Sequence, residues 1–594
     1  MTTPGTNPLP SSGPAGPQVP PTAKPGPAGP QVPTAVRPGP AVPPAAGQPQ
    51  PWPAAPALPR PPSLIERRWP GPSGSARPLI LAALTAAAVI GTSALTTVRP
   101  GLGWLVAALA GTAALVTASI LRAAAPSPTA SVPTPRTATA DVVRAPAPSP
   151  TAGVTTPRTA TARPGATGAP GRAAQVAWAA ATVALVAVGT VRAAGWLFAL
   201  CLIAAAVTGT LAVTGGRSPL GMLVAATLPP AATVRALPWA VRGLRDTRPA
   251  GSGIGLGRIL TSLTISAGLL LLFGLLFSSA DAVFADLVTG LLPDISAAGV
   301  IGWLLRLLLI GCGLLGAAYL VSRPPDLEGL RPGPSRPAHR LEWTLPLVLL
   351  DALFAAFVLV QLTVLFGGAG HVLETAGLTY AEYARGGFWQ LLAVSALTLL
   401  VIAVAARRAP KATRAGRLLV RVLLGTLAAL SLVVVASALY RMQVYTDAYG
   451  ATRLRLFVTT VELWLGLLFV LVGVAVVRLR AAWLPRLVIG TAVLALLGLA
   501  LVNPDRLIAE RNVDRYLQTG RLDVGYLSGL SADAVPALAR LPEPMRVCAL
   551  GQIAAELPRD GVWATNLGRE QARRKLDTIP LTGSATDCLG LRGW

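Results

Sequence analysis

Histidine is nearly absent: His339 and His371 are the only two in 594 residues, and cysteine is limited to Cys201, Cys312, Cys548 and Cys588. Two imidazoles exclude a histidine-rich metal centre, and the cysteines form neither a CxxC pair nor a zinc-type spacing. No cofactor is expected. Charge is scarce as well. Asp, Glu, Lys and Arg make up 13% of the chain against 53% hydrophobic residues, too little polar surface to clothe a soluble globule of this size. Lysine is almost missing, with Lys24, Lys411 and Lys575 the only three among 50 basic residues; this arginine, alanine, glycine and proline bias is that of GC-rich coding and carries no function. Also missing are HExxH, GxSxG and Walker A signatures. The glycine-rich "GSGIGLG" at 251–257 precedes an apolar run without the strand a nucleotide loop follows. Enzyme chemistry is therefore not expected.

What the chain has in abundance is long apolar runs. At 1.5 Å per residue about 20 residues cross a bilayer, and eleven runs qualify: 79–98, 101–121, 173–191, 195–213, 259–277, 299–321, 344–366, 386–406, 418–439, 457–477 and 483–502. The fold class expected is an all-α polytopic transmembrane bundle of about eleven spans. Residues 1–77 are Pro/Ala/Gly-rich and repeat "GPAGPQVP", and "APSPTASVPTPRTATA" nearly recurs as "APSPTAGVTTPRTATA" within 122–172. Such composition buries no core, so a disordered tail and a low-complexity linker are expected. The organisation is then a tail at 1–77, a four-span group at 78–213, a seven-span core at 214–502 and a small helical cap at 503–594. No charged n-region precedes an apolar stretch at the start, which argues against a cleaved signal peptide.

A net charge of +25 would suit nucleic acid, but the arginines are scattered among inter-span loops and not gathered in an aromatic-studded patch. Membrane topology explains them better. One alternating set of segments holds 29 Lys plus Arg and the other 6, so the positive-inside rule puts the N-terminus in the cytoplasm and, after an odd number of spans, the cap outside the cell membrane. There "NPDRLIAERNVDRYLQ" reads as an amphipathic helix with Asn503 as N-cap, Pro504 at its first position and Ala509, Val513, Tyr516 and Leu517 on one stripe. In an oxidising exterior, Cys548 and Cys588 can form a disulfide, although sequence does not show them to be close.

Ionisable residues inside spans are costly and so mark sites or internal pairs. Arg306 and Glu462 lie at similar depths, about 8–10 Å from the same membrane face at the helical rise, and read as partners. Asp351 and Arg421 form a second candidate pair. A proton or ion pathway is the functional alternative for these four. At the outer face, "RMQVYTDAYGATRLRL" (441–456) concentrates Arg441, Arg453 and Arg455 against Asp447, with Tyr445 and Tyr449 on one helical face, while the loop "SSADAVFADLV" carries Asp281 and Asp286. A polar layer in which those aspartates balance the arginines is expected; a pocket for an anionic lipid headgroup is the alternative.

The segments "LLFSSADAVFADL" (275–287), "YRMQVYTDAYGATRLRL" (440–456) and "NPDRLIAERNVDRYLQTGRLDVGYLSGLSADAVPAL" (503–538) resemble the bacterial domain-of-unknown-function family numbered 4173, close to its sister numbered 4153. The resemblance spans about 210–590. It implies an integral membrane protein of actinobacterial type and brings no activity or catalytic residues. A non-enzymatic scaffold or sensor of the envelope, in contact with the bilayer and with anionic lipid or other envelope proteins, is the leading expectation. A transporter or channel for a small solute, ion or lipid is the other, in which "LGMLVAATLPPAATVRALPWAV" at 220–241 would form a broken or re-entrant helix.

Overall fold

The computed structural model describes residues 69–123, 169–246, 256–281, 297–327, 339–376 and 388–580, with isolated exceptions within these ranges, and Phe284. The chain divides into two units, Met1–Pro61 and Pro62–Trp594, and every described residue belongs to the second. Residues 1–68 of the expected tail, the duplicated linker, Asp286 and Cys588 lie outside the described residues, whereas Trp69 and Ala76, at the end of the expected tail, are buried against the bundle, because the Trp69 indole packs there and donates to the Arg323 carbonyl.

Hydrocarbon offers no hydrogen bonds, so an apolar run must satisfy its backbone within itself, and a helix does so. Twelve long helices follow: α1 (Pro78–Ala94), α2 (Leu102–Ala123), α3 (Ala169–Val191), α4 (Gly195–Thr214), α5 (Pro219–Asp246), α6 (Leu256–Ala280), α7 (Ala297–Ser322), α8 (Arg340–Ala376), α9 (Phe388–Arg408), α10 (Arg414–Tyr449), α11 (Arg453–Arg478) and α12 (Leu484–Val502). No strand occurs among the described residues. The cap comprises α13 (Pro504–Thr519), α14 (Val524–Ser528), α15 (Val535–Leu538), α16 (Met545–Ala555) and α17 (Leu567–Leu576).

Among the described residues, ten helices are long and apolar enough to cross a membrane by length and composition. α5 is among them, yet both its ends lie at one face of the bundle. That face, distal to the cap, is marked by Arg77 Nη1 donating to the Leu121 carbonyl and Arg122 Nη1 to that of Val321. Near its start, Gly221 of α5 packs on Leu327, just beyond α7; near its end, the Trp239 carbonyl accepts from the Ala76 amide, just before α1. Midway, Thr233 donates to the Cys312 carbonyl on α7. Pro229, Pro230 and Pro238 interrupt its backbone donors. α5 therefore dips in and returns. α7 starts beside Leu95 at the cap face, through Arg306, and ends at the distal face. Set against the eleven apolar runs, the ten candidates include α5 and leave out α1, which has 17 residues, and α6.

Three short connectors meet at the cap face: 95–101 between α1 and α2, 192–194 between α3 and α4, and 450–452 between α10 and α11. The last is sharply defined. Gly450 adopts φ +82°, a conformation glycine tolerates, and a Cβ there would meet Asn512 Oδ1; Thr452 then caps α11 by accepting from the Arg455 amide. The cap has its own core, centred on Ile508, Ala509, Val513, Leu527, Val535 and Leu538, each at most 1% exposed. Two details of α13 depart from expectation. Asn503 sits at φ 58° and makes no side-chain cap bond, and Leu517 is 61% exposed, off the buried stripe.

Candidate functional site

The strongest polar construction lies where the cap meets the bundle. Asp505, in the first turn of α13, is fully buried. Arg453, at the start of α11, grips it with two bonds, Nε to Oδ1 at 2.9 Å and Nη2 to Oδ2 at 2.6 Å. Trp196 Nε1 on α4 donates to Oδ1 at 3.1 Å and the Ser531 amide to Oδ2 at 2.9 Å. Burial works to raise this carboxyl, but the Arg453 guanidinium and the Ser531 amide outweigh it and hold the group below the usual carboxylate range. The Arg453 amide in turn donates to the Tyr526 hydroxyl at 2.6 Å.

The 192–194 connector is served from both sides. Helix starts leave free amides and helix ends leave free carbonyls. Asp533 Oδ2 accepts from the Ala193 and Ala194 amides at the entry to α4, at 2.7 and 3.2 Å. Asn566 Nδ2 donates to the Gly189 and Arg192 carbonyls at the exit of α3, at 2.8 and 2.9 Å, while its Oδ1 caps α17 by accepting from the Arg569 amide. Gly568 lets Asp533 lie against the α17 backbone. Burial pushes the Asp533 carboxyl up, opposed by the Ala193 amide and Arg192. Arg192 itself donates to the Ala500 and Leu501 carbonyls at the end of α12. At the 95–101 connector, Arg569 donates to the Pro100 carbonyl and pairs with the buried Asp560, which also takes Arg573. At 450–452, Asn512 and Arg515 donate to the Ala451 and Ala448 carbonyls, both at 2.8 Å.

Beside this junction a cleft of about 290 Å³ opens between α11, α12 and α13. Arg455, Arg511 and Thr446 line it with Leu456, Leu463 and Leu499. The Arg455 guanidinium donates to the Gly450 carbonyl and lies 4.1 Å from the centre of the Tyr445 ring, which meets Tyr449 at 5.1 Å.

The pairings expected from depth are not formed. Arg306 donates to the Leu95 carbonyl, and both oxygens of the fully buried Glu462 lack a partner among the described residues. The reason is lateral: Arg306 belongs to α7, packed with α1, α2 and α5, whereas α11 packs with α10 and α12. Equal depth does not make neighbours. Arg421 donates to the Val477 carbonyl at the end of α11, and the buried Asp351 oxygens are without a partner among the described residues. Nor does Asp281 balance Arg453, whose partner is Asp505; Asp286 lies outside the described residues. Asp281 accepts from the Phe284 amide, Asp447 is exposed, and Arg441 donates to Gln361 Oε1, which Ser437 shares. Cys548 is disulfide-bonded, its expected partner Cys588 lying outside the described residues; Cys201 and Cys312 are free thiols.

These features define an integral membrane protein of the polytopic helical class. A family model described as "Domain of unknown function (DUF4153)" matches residues 180–541. The chain belongs to that family. Comparison with curated proteins and with solved structures gave no match. Sequence reasoning missed Trp196, Asp505, Ser531, Asp533 and Asn566. A signal existed for one pair: Arg453 stands directly before one span and Asp505 directly after another, on the same face.

Proposed function

We propose that this protein is a non-enzymatic scaffold or sensor of the bacterial cell envelope, with its cap outside and its N-terminus in the cytoplasm. The observation that carries the reading is the fastening of the cap to three separate connectors through buried polar and charged groups, above all Asp505 with Arg453. Bonds of that kind hold cap and bundle as one body, so that a load or partner on the cap is felt by the helices. The bias of 29 basic residues to 6 between the two loop sets supports the orientation. Likeness of 275–287 and 440–456 to the 4173 family belongs to this proposal too. Cross-linking in intact cells tests it: envelope proteins should be captured through the cap, and a reporter fused after residue 580 should be active only outside.

Transport is the second reading, favoured by Asp351 and Glu462. A carboxyl buried without a donor is tolerated as the neutral acid or beside a cation, which is what a coupling site requires. Proton-driven flux in proteoliposomes, abolished by Glu462→Gln, would establish it.

A further inference from the structure

The cleft between α11, α12 and α13 combines features that neither a scaffold nor its clamp requires. Its mouth carries two arginines. Arg511 is exposed and has no ion pair among the described residues, unlike Arg506 one turn earlier, which is bonded to Glu510 at 2.8 Å. Arg455 is fixed by Tyr445 and the Gly450 carbonyl, so its position is set before any ligand arrives. Arg515 stands near enough that burial, Arg521 and Arg455 together lower its pKa, a sign of crowded positive charge. Exposed Asp447 is the acidic group on the neighbouring turn of α10. Below this mouth the wall turns apolar: Leu463 and Val502 are 58% and 55% exposed on the bundle's flank, with Leu499 behind them. A cationic rim above an apolar, laterally open wall, at the level where spans end, matches a molecule with an anionic head and a hydrocarbon chain.

We propose that this cleft is a binding site for an anionic phospholipid of the cap-side leaflet, its phosphate between Arg455 and Arg511 and one acyl chain along Leu463, Leu499 and Val502. Arginine suits the task because its planar donors meet phosphate oxygens in pairs. Thr446 adds a hydroxyl at the mouth. A free phosphate would leave the apolar wall uncovered, and a zwitterionic lipid would forgo the charge match. The inference is independent of whether the protein scaffolds or transports.

The test uses the full chain in vesicles containing phosphatidylglycerol and phosphatidylcholine in equal amounts, with retained lipid identified by native mass spectrometry after gentle extraction. Wild type should retain phosphatidylglycerol preferentially. Arg511→Gln should lower that retention about five-fold, the effect of one surface cation on an anionic headgroup, and Leu463→Trp, which fills the cleft from its lipid-facing wall, should lower it as well. Arg506→Gln should leave it unchanged. Melting in pure phosphatidylcholine should match wild type for each variant, which separates lost binding from lost folding. No preference in the wild type, retention surviving both Arg511→Gln and Leu463→Trp, or equal loss in Arg506→Gln would overturn the proposal. So would displacement of the lipid by millimolar glycerol phosphate, which would mark a free-phosphate site, or an envelope protein retained in its place.

Discussion

Asp505 and Glu462 are both fully buried carboxylic acids, one held by Arg453 at the start of α11 and the other further along that helix, and their surroundings are opposite. Asp505 receives four hydrogen bonds from three separate parts of the chain, and Glu462 receives none from the described residues. Burial alone thus says little about a charge. Near the bundle's end, backbone amides, an indole and a guanidinium can be brought to one point because connectors are free to bend. Inside a span the helix has already used its backbone donors, and only side chains remain. The charges that fasten the structure sit where helices end; those left over within it are the ones available for a ligand or a proton.

Breaking the Asp505 side of this contrast should have the largest effect. Asp505→Ala strands Arg453, Trp196 and the Ser531 amide together and should cost about 3–5 kcal/mol, whereas Asp505→Leu combined with Arg453→Met should cost clearly less, because a lone desolvated charge is worse than none. Reversible unfolding in mixed micelles measures both. Asp533→Ala and Asn566→Ala remove the caps of α4 and α3, and each should cost about 1–2 kcal/mol, seen as faster amide exchange in 189–197 with the rest of the bundle unchanged.

Acid should loosen the same clamp from a different direction. Because the Asp505 carboxyl is lower in the folded protein than in the unfolded chain, its contribution is fully present above the ordinary carboxylate range and is lost as pH falls through the depressed folded value. The Asp505-dependent part of stability, read as the melting difference between wild type and Asp505→Asn, should hold between about pH 7 and pH 5 and shrink only below about pH 4. Glu462→Gln sharpens the other side: with no donor to lose, it should change stability by less than about 1 kcal/mol. A larger loss would reveal a bound cation or other partner at that carboxyl. Smallest of all, Arg306→Met and Glu462→Gln should be additive within about 0.5 kcal/mol, the signature of distant sites.

Much of the architecture was legible in the sequence because membrane spans are a one-dimensional signal. Length and hydropathy located the helices, and the arginine bias assigned connectors 192–194 and 450–452 to one face, where the structure has them. The 220–241 stretch showed its irregularity through Pro229, Pro230 and Pro238. The ion pairs were not legible, since Arg306 and Glu462 share a depth while lateral packing puts them on different groups of helices. Depth follows from residue number; adjacency between helices does not. The lipid-site alternative for 441–456 drew on Arg441, Arg453 and Arg455 together, yet Arg441 donates to Gln361, Arg453 turns inward to the cap, and of the three only Arg455 lines the cleft.

The caps on α3 and α4 come from residues 533 and 566, more than 330 positions further along the chain. During synthesis those helix ends are made early and enter the membrane long before their partners exist, so for most of translation the cap-side amides and carbonyls of the first hairpins stay with water. Asp533 and Asn566 therefore finish helices that were made long before them. A chain cut short before Asp505 would have every span and none of the fastenings, and the cell's membrane proteases would meet loose hairpins where the complete protein presents a sealed face.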